Sequence, residues 1–590
     1  MSRFACLLVA VIHLGLVGAE RAQDQAPPRA AKPLVQGFAA QRVTEKLDRG
    51  LDAVPMSGNR VYLSWRLLDT DPADVTFHVY RRSAGAQPAR LTAEPLRKTT
   101  DFVDEKPPAG NQEYWVCAVV GGREDQPSPI ISATPAANPR PYRSIKLEGD
   151  YTFQKVGIAD LDGDGRYDFV IKQPNVNVDP YEQYWKKSTD TYKLEAYNAD
   201  GKFLWRYDLG WSIEEGIWYS PYVVYDLDGD GAAEVAVKTG EGDPRDADGR
   251  VQSGPEYLSI LDGRTGQVKA RIEWPSREGI PSYNYYCRNQ LAVGYLDGKT
   301  PCLLVQRGTY NTIKLIAYEY HAGKLRQLWS WIDSEEAGGY RGQGAHCLDC
   351  ADIDGDGRDE VILGSAVIDD NGQGLWATKL GHPDHVYLGD LDPERPGLEI
   401  YYGIESRRQN NGMCMVDART GKILWGIDIA TRHVHGQGLC ADIDPDQPGC
   451  ECYSADTDAK KDFAFAMLHD AKGKLLGKEN LGGFAPRAAW WDADPQRELV
   501  VGGRIRDYNG AEHAPRIEGT IVAVADILGD WREEIITSVA GEMRIYVSAI
   551  AAADRRTCLM RDHIYRADVS SSSQAYYQMP SMGTPLPQGR

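Results

Sequence analysis

The sequence predicts an all-β protein: an eight-bladed β-propeller preceded by a small antiparallel β-sandwich. A short motif recurs eight times, each copy a strand entry, an acidic turn and a short apolar strand. Between the copies lie further β runs joined by Asp-Gly or Thr-Gly turns, as in "KLEAYNADGKFLWRYDLG" and "GMCMVDARTGKILWGIDI". Ahead of the first copy, "NRVYLSWRLL", "TFHVYRR" and "EYWVCAVV" alternate or run apolar between Asp, Pro and Gly turns.

The chain of 590 residues opens with Met1-Ser2-Arg3, the apolar run "FACLLVAVIHLGLVG" and the small-residue pattern Val17-Gly18-Ala19. A charged start, an apolar stretch and a small-residue cleavage site predict a signal peptide over residues 1–19 and a secreted or periplasmic protein. Nothing later is long and apolar enough to span a bilayer. Residues 20–40, beginning "ERAQDQAPPRAAKP", read as a linker of Pro, Ala and charge. Residues 41–140 read as the sandwich, resembling fibronectin type III, with no catalytic-looking cluster. Residues 141–590 hold the repeats.

The copies are "ADLDGDGRYDFVIK" from Ala159, "YDLDGDGAAEVAVK" from Tyr225, "GYLDGKTPCLLVQ" from Gly294, "ADIDGDGRDEVILG" from Ala351, "GDLDPERPGLEIYYG" from Gly389, "ADIDPDQPGCECYS" from Ala441, "WDADPQRELVVGG" from Trp491 and "ADILGDWREEIITS" from Ala525. They recur at an irregular spacing of about 35 to 70 residues. Units this size, built from short strands, cannot bury both faces alone and stack around an axis.

Three copies carry carboxylates at turn positions one, three, five and nine: Asp160, Asp162, Asp164 and Asp168; Asp226, Asp228, Asp230 and Glu234; Asp352, Asp354, Asp356 and Glu360. Ca²⁺ takes six to eight oxygens in flexible geometry, and the turn glycines allow the bend that aims these oxygens inward. An EF-hand would end in a Glu at position twelve and enter a helix, whereas "DFVIK", "EVAVK" and "EVILG" are strand-like. The alternative is a set of acidic Asx turns without metal. The other five copies lack one or more ligands and are assigned no ion.

The net charge of −19 gives no basic excess for binding nucleic-acid phosphates. Eleven cysteines are scattered; Cys347-x-x-Cys350 and Cys450-x-Cys452 lack a second pair at zinc-site distance, which favours buried strand thiols or a few disulfides. His346 precedes one repeat, and His382, Asp384, His385 and Glu405 surround the next. No nucleophile elbow is present. Two functional classes stay open on the residues: an enzyme acting through this His and carboxylate set, with a paired-carboxylate glycosidase as its variant, and a noncatalytic calcium propeller for carbohydrate binding or adhesion.

In its ordered segments "LDRGLDAV", "VYLSWRLL", "YDLDGDG", "SGPEYL", "GKILWG", "ADIDP", "ADILGDWREEII" and "RIY", the chain resembles polysaccharide lyase family 11, the rhamnogalacturonan lyases. The resemblance implies a secreted calcium-bound propeller, a monomer acting on an acidic polysaccharide, that cleaves rhamnogalacturonan I by β-elimination. It also implies one functional calcium held by His346, His382, Asp384 and Glu405, and a substrate-contacting Tyr576. The chain departs from the family at three points. His382-Pro383-Asp384 replaces a His-Gly-Asp; Gln437 stands where the family has Arg; and the family's Asn-Gly-Thr-Lys before "ADILGDWREE" is absent. His433, His435, Arg487 and Arg516 are the candidates to take over substrate binding and proton handling, with His433 or His435 suited to act as base near neutral pH.

Overall fold

The computed structural model describes residues 34–584. The signal peptide expected at 1–19, and residues 20–33 of the expected linker, lie outside the described residues. Two sheets form first. Asp52–Met56, Arg60–Ser64 and Asp101–Asp104 make one; Ala89–Arg90, Thr76–Ser83, Gln112–Val120, Arg123–Pro127 and Ile131–Ala133 make the other. Trp65, Phe77, Val79, Tyr114 and Val116 are buried in the core of this region, as inward alternation along each strand requires.

Eight four-stranded antiparallel sheets follow among the described residues. Each of the eight sequence motifs is the first hairpin of one sheet, its acidic turn joining first strand to second; Lys155–Ala159 and Asp168–Gln173 flank the first such turn. The eighth sheet takes its outer strand, Tyr142–Lys146, from before the first, pairing it with Glu542–Tyr546. First strands pack side by side from the first sheet to the sixth and from the seventh to the eighth, and Thr520–Ala525 of the last returns to Lys155–Ala159. Both faces of a sheet are apolar. Val224 and Val235 join a core with the first sheet, while their neighbours Val223 and Ala236 join one with the third.

A first strand has a partner on one edge only; its other edge faces the axis. The C-terminal segment occupies that space. Helix His563–Ser571, capped by Asp562 accepting from Tyr565 N, packs against the first strands of the first four sheets. Residues 572–578 then satisfy the free edges in turn. Ser572 Oγ donates to Val156 O at 3.3 Å and Ser573 Oγ to Tyr222 O. Gln574 accepts from Leu291 N at 2.9 Å and donates to Leu291 O. Gln578 brackets Val386 in the same way, at 3.0 and 2.6 Å, and Tyr577 Oη brackets Val524 at 2.6 and 3.2 Å. At the acidic-turn end the extended N-terminal segment crosses over, Glu45 forming a buried ion pair of 2.6 Å with Arg566 of the helix.

The acidic turns close on themselves. Asp160 accepts from the amides of Gly163 and Gly165, both at positive φ, and Asp226 and Asp352 are held alike. The ninth-position acid turns back onto the second residue's amide, Asp168 to Leu161 and Glu234 to Leu227. This last contact persists in the turns with incomplete ligand sets, through Glu399, Glu451, Glu498 and Glu534. It explains why these four turns keep a closing acid, at position nine or, counted from Asp390 and Asp442, at position ten, where other ligands are lost. Asp160, Asp162 and Asp164 bring carboxylate oxygens within 4.8 Å of one another, as do Asp226, Asp228 and Asp230.

All ten described cysteines are free thiols, so buried strand thiols rather than disulfides are the outcome here. Cys347 and Cys350 share the strand Gly344–Ala351 but point into different cores, because an odd spacing alternates faces. They cannot chelate one ion together. The helix His563–Ser571 departs from the all-β expectation: its turns carry no strong apolar periodicity. Among the described residues no helix is long and apolar enough to cross a membrane.

Burial, reinforced by neighbouring carboxylates, pushes Asp168 up to about 7, Glu234 to about 8 and Glu360 to about 9. An acid whose folded pKa is raised binds its proton more tightly when folded, so stability is highest below the unfolded value and falls as pH rises toward the folded one. Chelated protein is therefore expected to lose thermal stability steadily between about pH 5 and 9, with calcium restoring more at the higher pH. Scanning calorimetry across that range, with and without calcium, checks it; a pH-independent midpoint in chelator contradicts it. Separately, Gln574→Ala or Gln578→Ala strands a buried N–H and C=O and is expected to cost about 2 kcal/mol in urea denaturation.

Candidate metal centre and cleft

The candidate residues lie where three consecutive first strands begin. His346 is in Gly344–Ala351, Asp384 in Pro383–Gly389 with His382 just ahead of it, and His435 in Val434–Ala441 with His433 ahead. Glu405 follows the second strand Glu399–Ile404. Each of the three first strands breaks register against its partner at this point, between Gly344 and Asp349, Pro383 and His385, and His435 and Leu439. An irregularity of that kind frees side chains from the pleat and re-aims them. Gly436 shows the requirement most clearly. At φ +83° its N–H reaches Asp384 Oδ2 at 2.5 Å while its carbonyl accepts from His385 Nδ1 at 2.9 Å, and a Cβ there would meet Phe484 O at 2.3 Å.

His346, His382, Asp384 and Glu405 each offer a ligand atom within 4.8 Å of all the others. His346 Nε2 lies 3.3 Å from both His382 Nε2 and Asp384 Oδ1, and His382 Nε2 lies 3.1 Å from Glu405 Oε2. His382 Nδ1 is hydrogen-bonded to the carbonyl of Gly344, which directs the Nε2 lone pair at the cluster. Two carboxylates and two imidazoles aimed at one point form a donor set that fits a divalent cation. His433 and His435 stand beside it: His435 Nδ1 is 2.8 Å from Asp384 Oδ2 and 3.1 Å from His433 Nε2, which is 3.5 Å from Glu405 Oε1.

Burial, with the charge of His382, drives His346 down to about 3, so it is a neutral imidazole. Burial opposes ionisation of Asp384, but hydrogen bonds from His346, His382 and His435 outweigh it and hold the carboxyl well below its usual range. The paired histidines separate. Burial lowers His433 against the pull of Glu405, whereas Asp384 overcomes burial at His435 and raises it.

The surroundings are aromatic. Tyr310 Oη is 3.1 Å from His346 Nε2, and the rings of Trp218 and Tyr576 lie 4.5 and 4.9 Å from that of His346. Tyr576 thus packs beside the histidine cluster. Arg288, which the sequence reading missed, is buried against Trp218 and Tyr310 and bonds Asp179 at 2.9 Å. Its place just before a first strand, as in "YYCRNQL", was the available signal. Arg487 donates to Gln437 Oε1 and lies over Tyr577, so a guanidinium stands beside the position that lacks one. Arg516 is not brought in: it is exposed beside Gly503, and no described contact links it to the histidines.

Two family models match the chain: "Rhamnogalacturonan I lyases beta-sheet domain" over residues 42–133, and "Rhamnogalacturonan lyase family 11, C-terminal domain" over residues 146–589. The chain is 38% identical to rhamnogalacturonan endolyase YesW of Bacillus subtilis (strain 168), over 92% of each chain, and 34% identical to the exolyase YesX of the same organism, over 92% of this chain and 95% of that one. It is also similar to the crystal structure of YesW, with a TM-score of 0.84, 36% identity and coverage of 93% and 98%. A Bacillus licheniformis rhamnogalacturonan lyase gives 0.82, 35% and the same coverage. With both stretches of the chain matched and its relatives aligned nearly end to end, the protein belongs to rhamnogalacturonan lyase family 11 and is a polysaccharide lyase.

Proposed function

We propose that the protein is an exported, calcium-dependent lyase that cleaves the backbone of rhamnogalacturonan I, or a related uronate polymer, by β-elimination at galacturonate C4. In this reading the eight sheets are the blades of a propeller over residues 141–590, and the region 41–140 is a fibronectin type III-like accessory domain. Residues 1–19 are the export signal, and the chain works as a monomer. The observation that carries the reading is the convergence of His346, His382, Asp384 and Glu405 beside a histidine pair with opposed titration. Bracing a sheet requires no such set.

A divalent cation held by these four residues supplies positive charge to the substrate carboxylate and lowers the cost of the enolate-like species formed when C5 is deprotonated. The chain's own groups do the rest. His433, whose pKa burial lowers, accepts the C5 proton at Nε2; the C4–O bond breaks, its electron pair leaving on the rhamnose oxygen, which takes a proton from solvent, and a C4–C5 double bond remains. Asp384 raises the proton affinity of His435, which favours positive charge near the developing negative charge. Tyr576 presents an apolar face to a sugar ring, and Trp218, buried behind it and His346, keeps water out. The acidic turns 160–168, 226–234 and 352–360 hold structural calcium away from the chemistry.

Purified protein with rhamnogalacturonan I is expected to release products carrying the ultraviolet absorbance of an unsaturated uronate, to stop in chelator and to recover with calcium. Saturated fragments alone contradict elimination. His433→Ala is expected to lower kcat by about a hundredfold or more, as loss of a general base does, and by more than His435→Ala. Because the base must be unprotonated and its pKa lies below the usual histidine value, activity is expected to hold through pH 6.5 and fall only below it. An acid limb above pH 7 assigns the proton to another group.

A further inference from the structure

The floor of the cleft holds a second group of charges that the metal cluster does not use. Ten lysines and arginines are buried among the described residues, and eight of them contact a carboxylate, as Lys238 and Arg307 do with Glu256 and Arg497 with Glu533. The exceptions are Lys155 and Lys172. They are cross-strand partners on one face of the first sheet. Lys172 Nζ donates to Ser220 O at 3.1 Å and lies over the rings of Tyr192 and Tyr222. The Lys155 side chain, in a residue 7% exposed, has no hydrogen bond or ion pair among the described residues. Arg487 is the third member: its guanidinium meets only the amide of Gln437, the carbonyl of Pro486 and the face of Tyr577.

These charges stand at the level of the metal cluster. Val156, Leu291 and Val386 are the first-strand residues that the C-terminal segment holds, through Ser572, Gln574 and Gln578. Lys155 precedes Val156 just as Asp384 and His385 precede Val386, and every first strand runs from this end toward its acidic turn. Arg487 rests on Tyr577, the residue after the Tyr576 that packs on His346. Metal cluster and cations therefore share one floor. Burying an unpaired ammonium is costly, and in a chain of net charge −19 carboxylates were available to pair it.

We propose that Lys155, backed by Lys172 and together with Arg487, forms an anion subsite that receives a second carboxylate of the substrate, the uronate next along the chain from the one held at the metal cluster. This rests on the reading of the substrate as an acidic polysaccharide. Burial, with Lys172 and Arg487, lowers the Lys155 pKa well below its usual value, and an arriving carboxylate is the group that stabilises its charge. The subsite selects polymers with uronates at regular intervals and places the scissile unit by holding its neighbour.

The test compares wild type, Lys155→Met and Lys155→Arg, titrated calorimetrically with a rhamnogalacturonan I tetrasaccharide at several salt concentrations, alongside steady-state rates on the polymer. Lys155→Met removes a buried amine that has no partner, so it is expected to fold with a thermal midpoint at or above wild type. Its tetrasaccharide affinity is expected to fall about tenfold and to depend less on salt, with KM raised about tenfold, kcat within about twofold, and Lys155→Arg recovering much of the loss. Unchanged affinity, KM and salt dependence in Lys155→Met would overturn the subsite. So would a collapse of kcat and KM together that Lys155→Arg does not relieve. The two readings separate: a wild type that binds the tetrasaccharide through Lys155 but forms no unsaturated product keeps the subsite and loses the lyase mechanism. A wild type that cleaves while Lys155→Met behaves identically does the reverse, and a wild type that neither binds nor cleaves loses both.

Discussion

A sheet whose first strand faces an axis leaves that strand with one row of backbone donors and acceptors that no other strand can pair. Eight such edges converge here, and in a closed interior each unpaired group costs about as much as a lost hydrogen bond. The C-terminal segment meets this demand with side chains suited to it. An amide side chain can accept from a backbone N–H and donate to the same residue's carbonyl, which is how Gln574 and Gln578 bracket Leu291 and Val386. Tyr577 does the same for Val524 through one hydroxyl. The cleft floor is a by-product of filling the axis. Tyr576 and Tyr577 sit between anchored neighbours, and everything that stands on the floor inherits their positions.

That rigidity matters because the site is an assembly of charges that repel or desolvate one another. Asp384 and Glu405 converge with two imidazoles, and Asp384 stays ionised only because histidine hydrogen bonds surround it. The resulting excess of negative charge is what a divalent cation offsets. The acidic turns present related physics at the opposite end of the strands, where burial, reinforced by neighbouring carboxylates, raises Asp168, Glu234 and Glu360. Both ends favour a bound cation, but they differ in chemistry. The turns offer oxygens alone and glycine-shaped backbone, whereas the cleft adds nitrogen ligands, aromatic walls and a histidine pair.

The histidine pair illustrates how position sets role. His433 and His435 lie two residues apart with rings 4.9 Å between centroids, yet burial acts on one and an ionised carboxylate on the other. Their affinities for a proton move in opposite directions. The absence of an Arg at Gln437 is answered in a comparable way, by Arg487 reaching across from the next sheet to the same amide.

The acidic turns and the hairpins they join were legible in the sequence because each depends on residues within nine positions of one another. Asp160 holds Gly163 and Gly165, Asp168 holds Leu161, and no distant residue is needed to explain the spacing. For the same reason the eight motifs forecast eight sheets. His346, His382, Asp384 and Glu405 could be named as metal ligands through family resemblance, whereas their spacing alone reveals nothing, since they meet only after strands from two sheets break register side by side. Lys155, the role of residues 572–578 and the displacement of Arg516 had no local signature at all. An unpaired lysine is recognisable only when its surroundings are known. Short-range turn geometry was thus settled by the chain's own order, while the meeting of charges at the cleft was decided by the closure of eight sheets around one axis, which brings together groups that sequence distance keeps apart.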